Sequence, residues 1–521
     1  MAGQVTVPGP IDRALSDELI ADLVSSGAGP VSVIAPFTGA ELHTFRASTA
    51  QDVTDAAAAA RVAALAWQQA GAAHRRRVLL RAHDLLLERR ELLLDVLQTE
   101  TGKTRGQAFE EVFQGATVTR YYALTAERVL REHGRRAGIP VVISTRVGTR
   151  PKGVVGVVTP WNYPLSLALM DVVPALAAGN GVVQKADDQG VLTVLAARRA
   201  FIEAGVPAAL WSVVAGDGET IGNAVVDTAD YVCFTGSTAT GTRVATRAAG
   251  RLIGASMELG GKNPMIVLDD VDPEKAAADA TYACFSSAGQ LCVSIERIYL
   301  VAGVADAFVA TFTRRVRSLA LGAAYDFSTD VGSLATAAQL ERVTAHVDDA
   351  IARGATVLAG GHARPDLGPY FFEPTVLTGV TSEMACDRNE TFGPVVAIHV
   401  VDDAEEAIAR ANDSDFGLNA SVFSGSVRRA RAVANALDAG SVNINEGYRA
   451  TFSSVDAPMG GMKQSGVGRR NGPEGILRFV EQRTVAASTG LLTLPRTGRE
   501  FGRMAAVMVT LLRTLRATHL K

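Results

Sequence analysis

The sequence predicts an α/β protein built on a doubly wound parallel sheet, followed by a second, looser α/β unit. Three observations carry that expectation. Short apolar, β-branched runs closed by turn residues occur mid-chain: GVVGVVTP (Gly153–Pro160), GVVQKA (Gly181–Ala186) and DYVCFTG (Asp230–Gly236). Helical stretches such as VLTVLAARRAFIEAG lie between them, and strands alternating with helices argue for a parallel sheet. The alternation then recurs between residues 263 and 470, through NPMIVLDDVD, ERIYLVAGVADAFVATFTRRVRSLA, ATVLAGG and PVVAIHVV.

Before the first strands come helices. Residues 51–69, QDVTDAAAAARVAALAWQQ, are alanine-rich with an acidic and a hydroxyl residue near the start. RRRVLLRAHDLLLERRELLLDVLQTETGK then places apolar residues at helical spacing and stops at Gly102. At the other end, RTGREFGRMAAVMVTLLRTLRATHLK (Arg496–Lys521) sets Arg496, Arg499, Arg503, Arg513, Arg516 and Lys521 around a short apolar core. Such a basic amphipathic helix suits weak contact with an anionic membrane surface, or docking on its own protein or a partner subunit.

The whole chain narrows the function classes. Its 521 residues suggest roughly three domains. A net charge of −3 gives no electrostatic case for nucleic acid, and HRRRVLLR (His74–Arg81) reads as the solvated face of a helix. The four cysteines, Cys233, Cys284, Cys292 and Cys386, form no CxxC and no zinc-site spacing with histidine, so no metal site is expected. So few cysteines in so long a chain do not suggest a disulfide framework. No secretory signal opens the sequence, and no apolar run approaches the ~20 residues that span a bilayer. A cytoplasmic protein is the default expectation.

Four segments carry candidate chemistry. FSSAGQLCVS (Phe285–Ser294) holds Cys292. A cysteine nucleophile needs local positive potential or a base to become thiolate, whereas a lone cysteine is more often a small buried hydrophobe. Here Gly289 permits close backbone approach, and VSIERIYL looks like the entry to a strand. MELGGKNPMIV places Glu258 before Gly260 and Gly261, where a carboxylate can serve as a mobile base or remain a surface glutamate. VVTPWNYPLSLALM sets Asn162 between Trp161 and Tyr163; its amide can donate to an oxyanion, or simply occupy a turn beside prolines. FTGSTATG (Phe234–Gly241) follows a strand and opens a helix, where phosphate meets backbone N–H groups.

Together these segments resemble the aldehyde dehydrogenase superfamily. TPWNYP, FTGSTATG, ELGGKNP, GQLC, ETFGPV, GLNASVF and PMGGMKQSGVGRR occur in the family's order, with the Glu258–Cys292 interval of the family. The whole-chain pattern is most similar to the actinobacterial-type succinate-semialdehyde dehydrogenases that use NADP+. The resemblance implies that Cys292 is the nucleophile, Asn162 and the Cys292 N–H the oxyanion hole, and Glu258 the base that activates water. It places Trp161, Lys185, Asp188, Gly236, Ser237, Leu259, Glu390 and Phe392 along the cofactor, NAD+ or NADP+. It also implies a Rossmann-type cofactor domain (1–138 and 153–262), an α/β catalytic domain (263–472) and a small oligomerisation element of strands (139–152 and 473–495). The basic amphipathic tail (496–521) completes the chain, and a homodimer or homotetramer is expected.

The match departs from the family's pattern at both ends of the site. The family's Lys-Pro-Ser-Glu type segment is here Lys185-Ala186-Asp187-Asp188. The acidic Asp188 leans to NAD+, while its short side chain beside Lys185 leaves room for the 2′-phosphate of NADP+. The arginines that clamp the carboxylate of succinate semialdehyde in relatives are replaced by Ser286 and Met170, and a second cysteine is replaced by Ser294. Arg449 is an alternative clamp. Asp171 stands where several relatives carry a lysine proposed for proton relay. The expected reaction is oxidation of an aldehyde to its acid, of succinate semialdehyde or of a medium-chain or aromatic aldehyde. A cysteine hydrolase would pair the thiol with histidine, and none of the eight histidines falls in these segments. A non-catalytic binding protein would most simply have lost Cys292, Glu258 or Asn162.

Overall fold

The β-branched runs of the middle of the chain pair side by side. In a computed structural model that describes residues 9–138, 142–491 and 494–518, Val154–Val158, Gly181–Lys185, Trp211–Val214, Tyr231–Thr235 and Gly254–Glu258 form five parallel strands. Each is followed by a turn and most by a helix, and the strand order reverses beside Val154–Val158, as in a doubly wound sheet. The strand Gly466–Val467 adds antiparallel to Gly254–Glu258, so a segment of the expected catalytic part completes the cofactor-side sheet. This pairing puts the GGMKQSG turn directly against Glu258.

The second unit is a seven-stranded sheet. Its order is Thr356–Ala359, Thr375–Thr378, Val395–Val401, Ile295–Val301, Asn263–Val267, Asn419–Phe423 and Ser441–Ile444. All pairs are parallel except the edge pair Thr356–Ala359 with Thr375–Thr378. A third, antiparallel ribbon pairs Val480–Ser488 with Ile143–Pro151 over nine residues and adds His133–Arg135, which the expected boundaries had assigned to the cofactor domain. Residues 1–8 of the expected cofactor domain, 139–141 and 492–493 of the expected oligomerisation element and 519–521 of the tail lie outside the described residues.

Local sequence explains the helices that position the site. Thr49 and Asp52 form a reciprocal capping box at Ala50–Gln69. The next predicted helix divides into Gly71–Glu88 and Arg90–Thr101, and the latter ends at Gly102 in the left-handed conformation. Pro164 starts the helix Pro164–Ala178, whose fifteen residues are all buried. A helix apolar nearly all round belongs inside a core, and here it packs between the cofactor-side sheet and the helix Arg105–Leu130. The tail forms the helix Gly498–Ala517 with no buried residue, and Phe501, Val507, Val509, Leu511 and Leu512 are exposed on it. No helix among the described residues is long and apolar enough to cross a membrane.

Candidate active site

The nucleophile candidate sits where a helix is stopped by force. The helix Pro273–Phe285 runs into Ser287, Ala288 and Gly289, which take positive φ of 50°, 53° and 69°, a single left-handed turn. Such a conformation costs L side chains energy and persists only where the surroundings fix it. Here Ser287 Oγ meets Tyr163 OH at 2.9 Å. Gln290 fixes the turn from the other side: its N–H and Nε2 both donate to the Ser287 carbonyl, and its Oε1 accepts from the Ala335 N–H at 2.9 Å. Gly289 lies so close to Gly393 that a Cβ would stand 2.1 Å from the Gly393 carbonyl. The Cys292 carbonyl then accepts from Asn263 Nδ2 at 2.8 Å, and Asn419 Nδ2 holds the Val293 carbonyl at 3.0 Å.

Cys292, Glu258 and Asn162 line one cavity of about 190 Å³, together with Trp161, Gly236, Ser237, Leu259, Glu390 and Phe392. The structure thus brings together nine of the eleven residues singled out from sequence. Lys185 and Asp188 stand outside it, at the end of the strand Gly181–Lys185. Their side chains are 3.9 Å apart, and Asp188 Oδ1 accepts from the Gly216 N–H at 2.8 Å.

Electrostatics distinguish the groups. Burial pushes the Glu258 carboxyl up to about 7, against the pull of Arg470, Arg478 and Arg469. Its carboxylate accepts no hydrogen bond among the described residues. Burial, followed by the charges of Glu258 and Glu390, pushes the Cys292 thiol up to about 12. Of the two ways to make a thiolate, local positive potential or a base, the raised thiol argues against the first, and Glu258 in the same cavity is the candidate base. The Cys292 N–H donates to no carbonyl among the described residues. Asn162 Nδ2 donates to the Gln290 carbonyl at 2.9 Å, so one of its two N–H groups is already engaged.

The opposite wall is built by Glu390 and Phe392. Glu390 Oε1 accepts from the Gly261 N–H at 2.9 Å, and a Cβ on Gly260 would stand 2.5 Å from its Oε2. The Trp161 and Phe392 rings meet edge to face at 5.7 Å. Ser237 caps the helix Thr238–Gly250, so its rim position coincides with free backbone N–H groups.

Several supporting residues escaped the sequence reading. Buried Lys103 pairs with buried Glu111 and donates to the Asn162 carbonyl at 2.7 Å. Glu111 Oε2 in turn accepts from the N–H groups of Leu165 and Ser166, each at 3.0 Å. Buried Glu296 pairs with Lys262 and accepts from the Thr391 and Phe392 N–H groups, each at 2.9 Å. Apart from Lys103 and Glu111, these partners lie tens of residues apart, and no spacing rule connects them.

At the substrate end, Ser286 Oγ meets Tyr448 OH at 3.0 Å, and Met170 is fully buried. Ser294 Oγ turns away to the carbonyls of Ala283 and Cys284. Tyr282 and Tyr448 both donate to Glu110, at 2.5 and 3.0 Å. Arg449 pairs with Glu446 at 3.0 Å and lies over the Tyr282 ring at 4.2 Å, so the alternative clamp is already occupied by a carboxylate.

Comparison with known proteins agrees with this arrangement. The sequence model of the aldehyde dehydrogenase family matches residues 23–485. A Mycolicibacterium smegmatis protein with the provisional name succinate-semialdehyde dehydrogenase (NADP+) is 50% identical over 493 residues, covering 94% of this chain and 95% of its own. The crystal structure of an E. coli NADP-dependent enzyme superposes with a TM-score of 0.85 at 32% identity, over 88% of this chain and 95% of its own. Betaine aldehyde dehydrogenase of Staphylococcus aureus, in complex with NAD+, superposes with a TM-score of 0.85 at 31% identity, over 92% and 98%. Sequence and fold together show that the chain belongs to the aldehyde dehydrogenase family.

Proposed function

We propose that the protein oxidises succinate semialdehyde to succinate through a thioester on Cys292. The observation that carries this reading is the convergence of Cys292, Glu258 and Asn162 in one cavity. Glu258 takes the proton of the Cys292 thiol, and the sulfur adds to the aldehyde carbon. The second N–H of Asn162 and the Cys292 N–H hold the oxygen that becomes negative. A bound NAD(P)+ would supply the hydride acceptor at that carbon, and Cys292 would then hold the substrate as an acyl group. Glu258 gives that first proton up to solvent, then takes a proton from the water that attacks the acyl carbon, and returns it to the departing Cys292 sulfur as the acid is released.

The residues present fit a dinucleotide. Trp161, Leu259 and Phe392 offer flat apolar walls, Glu390 a hydroxyl acceptor, and Gly236 and Ser237 the start of a helix for the pyrophosphate. Lys185 and Asp188 would meet the adenine ribose. Because Asp188 already spends one oxygen on Gly216 and stands beside Lys185, we propose that both NAD+ and NADP+ are accepted.

A second reading, a neutral aromatic or medium-chain aldehyde, draws on the substrate end, where Ser286, Met170 and the phenols Tyr163, Tyr282 and Tyr448 offer no free guanidinium. NAD(P)H absorbance measured over an aldehyde panel separates the two. A kcat/KM for succinate semialdehyde no greater than for a neutral aldehyde of the same length rejects the first. Turnover retained by Cys292→Ala rejects the thioester route altogether.

We further propose a homodimer or homotetramer that uses the ribbon of Val480–Ser488. That edge strand is exposed from Glu481 onward and is unpaired on its outer side among the described residues. The exposed basic helix Gly498–Ala517 is proposed to touch an anionic membrane surface weakly, tested by flotation with vesicles containing phosphatidylserine.

A further inference from the structure

Three buried charges have no part in the chemistry above. Asp171 sits fully enclosed in the otherwise apolar helix Pro164–Ala178. Its Oδ1 accepts from Arg470 Nε at 2.9 Å and Arg478 Nη2 at 2.5 Å, and its Oδ2 from Arg470 Nη2 at 2.5 Å. The two guanidiniums spread over adjacent strands. Arg478 Nη1 donates to Ser256 Oγ at 2.8 Å, and Arg470 Nη2 also donates to Thr235 Oγ1. In register, Cys233 faces Ser256 and Thr235 faces Glu258. Alternate residues of a strand share a face, so the arginines lie on successive rungs, with Arg470 on the rung that carries Glu258.

Arg470 also holds the turn that confronts Glu258. It exchanges backbone hydrogen bonds with Met459, at 2.6 and 2.8 Å. The next residue, Gly460, lies against the carboxylate, where a Cβ would stand 2.9 Å from Glu258 Oε1. The charged groups that face Glu258 are thus Arg470, Arg469 and Arg478 from the C-terminal segment and Asp171 from the helix, with the Cys292 thiol in the same cavity. Burial raises Asp171, but Arg470 and Arg478 outweigh it and hold the carboxyl below its ordinary value, so it stays ionised. Asp171, Arg470 and Arg478 together carry one net positive charge. Both Asp171 oxygens are occupied by guanidinium, and guanidinium does not release a proton, so the cluster cannot pass one along.

Resting on Glu258 as the base, we propose that Asp171, Arg470 and Arg478 form a fixed counter-charge that positions the Glu258 carboxylate and favours its ionised form during acyl-enzyme hydrolysis. They are positioning residues that act through Glu258.

The test is the pH dependence of the deacylation rate, read after the burst with p-nitrophenyl acetate, an ester that acylates Cys292 without nicotinamide. Arg470→Gln removes positive charge and moves the midpoint of the rising limb up by about one pH unit; Asp171→Asn removes negative charge and moves it down by a similar amount. Arg470→Lys, which keeps the charge, returns the midpoint toward the wild-type position. Arg478→Gln leaves the Asp171–Arg470 pair intact and shifts the midpoint up, which keeps the test available if a variant of Arg470 or Asp171 fails to fold. Opposite shifts support the proposal. A downward or absent shift in either arginine variant, or an upward or absent shift in Asp171→Asn, overturns it wherever the variant melts cooperatively. A limb that persists in Glu258→Gln instead overturns Glu258 as the base.

Discussion

Replacing Lys103 with methionine should cost the protein about 3 kcal/mol and roughly tenfold in kcat. The side chains of Lys103 and Glu111 are 3% and 0% exposed, so their attraction is little screened by water. Unit charges about 4 Å apart at an effective dielectric constant of about 20 attract by about 4 kcal/mol, and breaking such buried pairs costs about 3–5 kcal/mol. Glu111 keeps the N–H groups of Leu165 and Ser166, which offsets part of the loss. The rate falls because Asn162 loses the ammonium that holds its carbonyl at 2.7 Å, and the amide that faces the cavity drifts. Urea unfolding at matched protein concentration gives the first quantity and steady-state NAD(P)H formation the second. Lys103→Met/Glu111→Gln should regain at least half of the lost stability, because no buried charge remains, yet not the rate. A single variant within about 0.5 kcal/mol of wild type, or a double variant worse than the single, would refute the account.

Three further outcomes are expected. Because burial holds Glu258 up to about 7, the hydrolytic step should rise with pH through about 7, as the ionised base appears, and Glu258→Gln should lose that limb; stopped-flow deacylation reads both. Asp188→Ser removes a negative charge beside Lys185 and should shift the NADP+ over NAD+ ratio of kcat/KM by about tenfold toward NADP+. Gly289→Ala places a Cβ 2.1 Å from the Gly393 carbonyl at a φ of +69°, and should both destabilise the fold by several kcal/mol, about 2–4, and slow Cys292 alkylation, as followed by mass spectrometry.

Much of this was legible in the sequence because it is local. The runs GVVGVVTP, GVVQKA and DYVCFTG became neighbouring parallel strands, and ATVLAGG and PVVAIHVV became strands of the second sheet. Cys292, Glu258 and Asn162 stood out because each lies at the end of a strand or loop marked by glycine or proline. What stayed hidden depends on distant contacts. Gly466–Val467 is too short to announce itself, and it becomes a strand only because Gly254–Glu258 offers an open edge. Lys103 and Glu296 carry no signal in the sequence, since burial of a charge is decided by partners that no periodicity reveals. Asp171 stands out in an apolar helix, but its two arginines arrive from 299 and 307 residues away.

The left-handed turn at Ser287 and Ala288 has an evolutionary consequence. Two side chains held at φ of 50° and 53° tie up about 1–3 kcal/mol each, which Asn or Gly at either position would release. The turn is therefore a standing reserve of stability that drift toward a sturdier protein can tap at any time. The same release would loosen the hydrogen bond with Tyr163 and the seat of the thiol four residues beyond Ala288. Selection for heat resistance alone should find this turn early, and selection for turnover should keep returning it to its strained form.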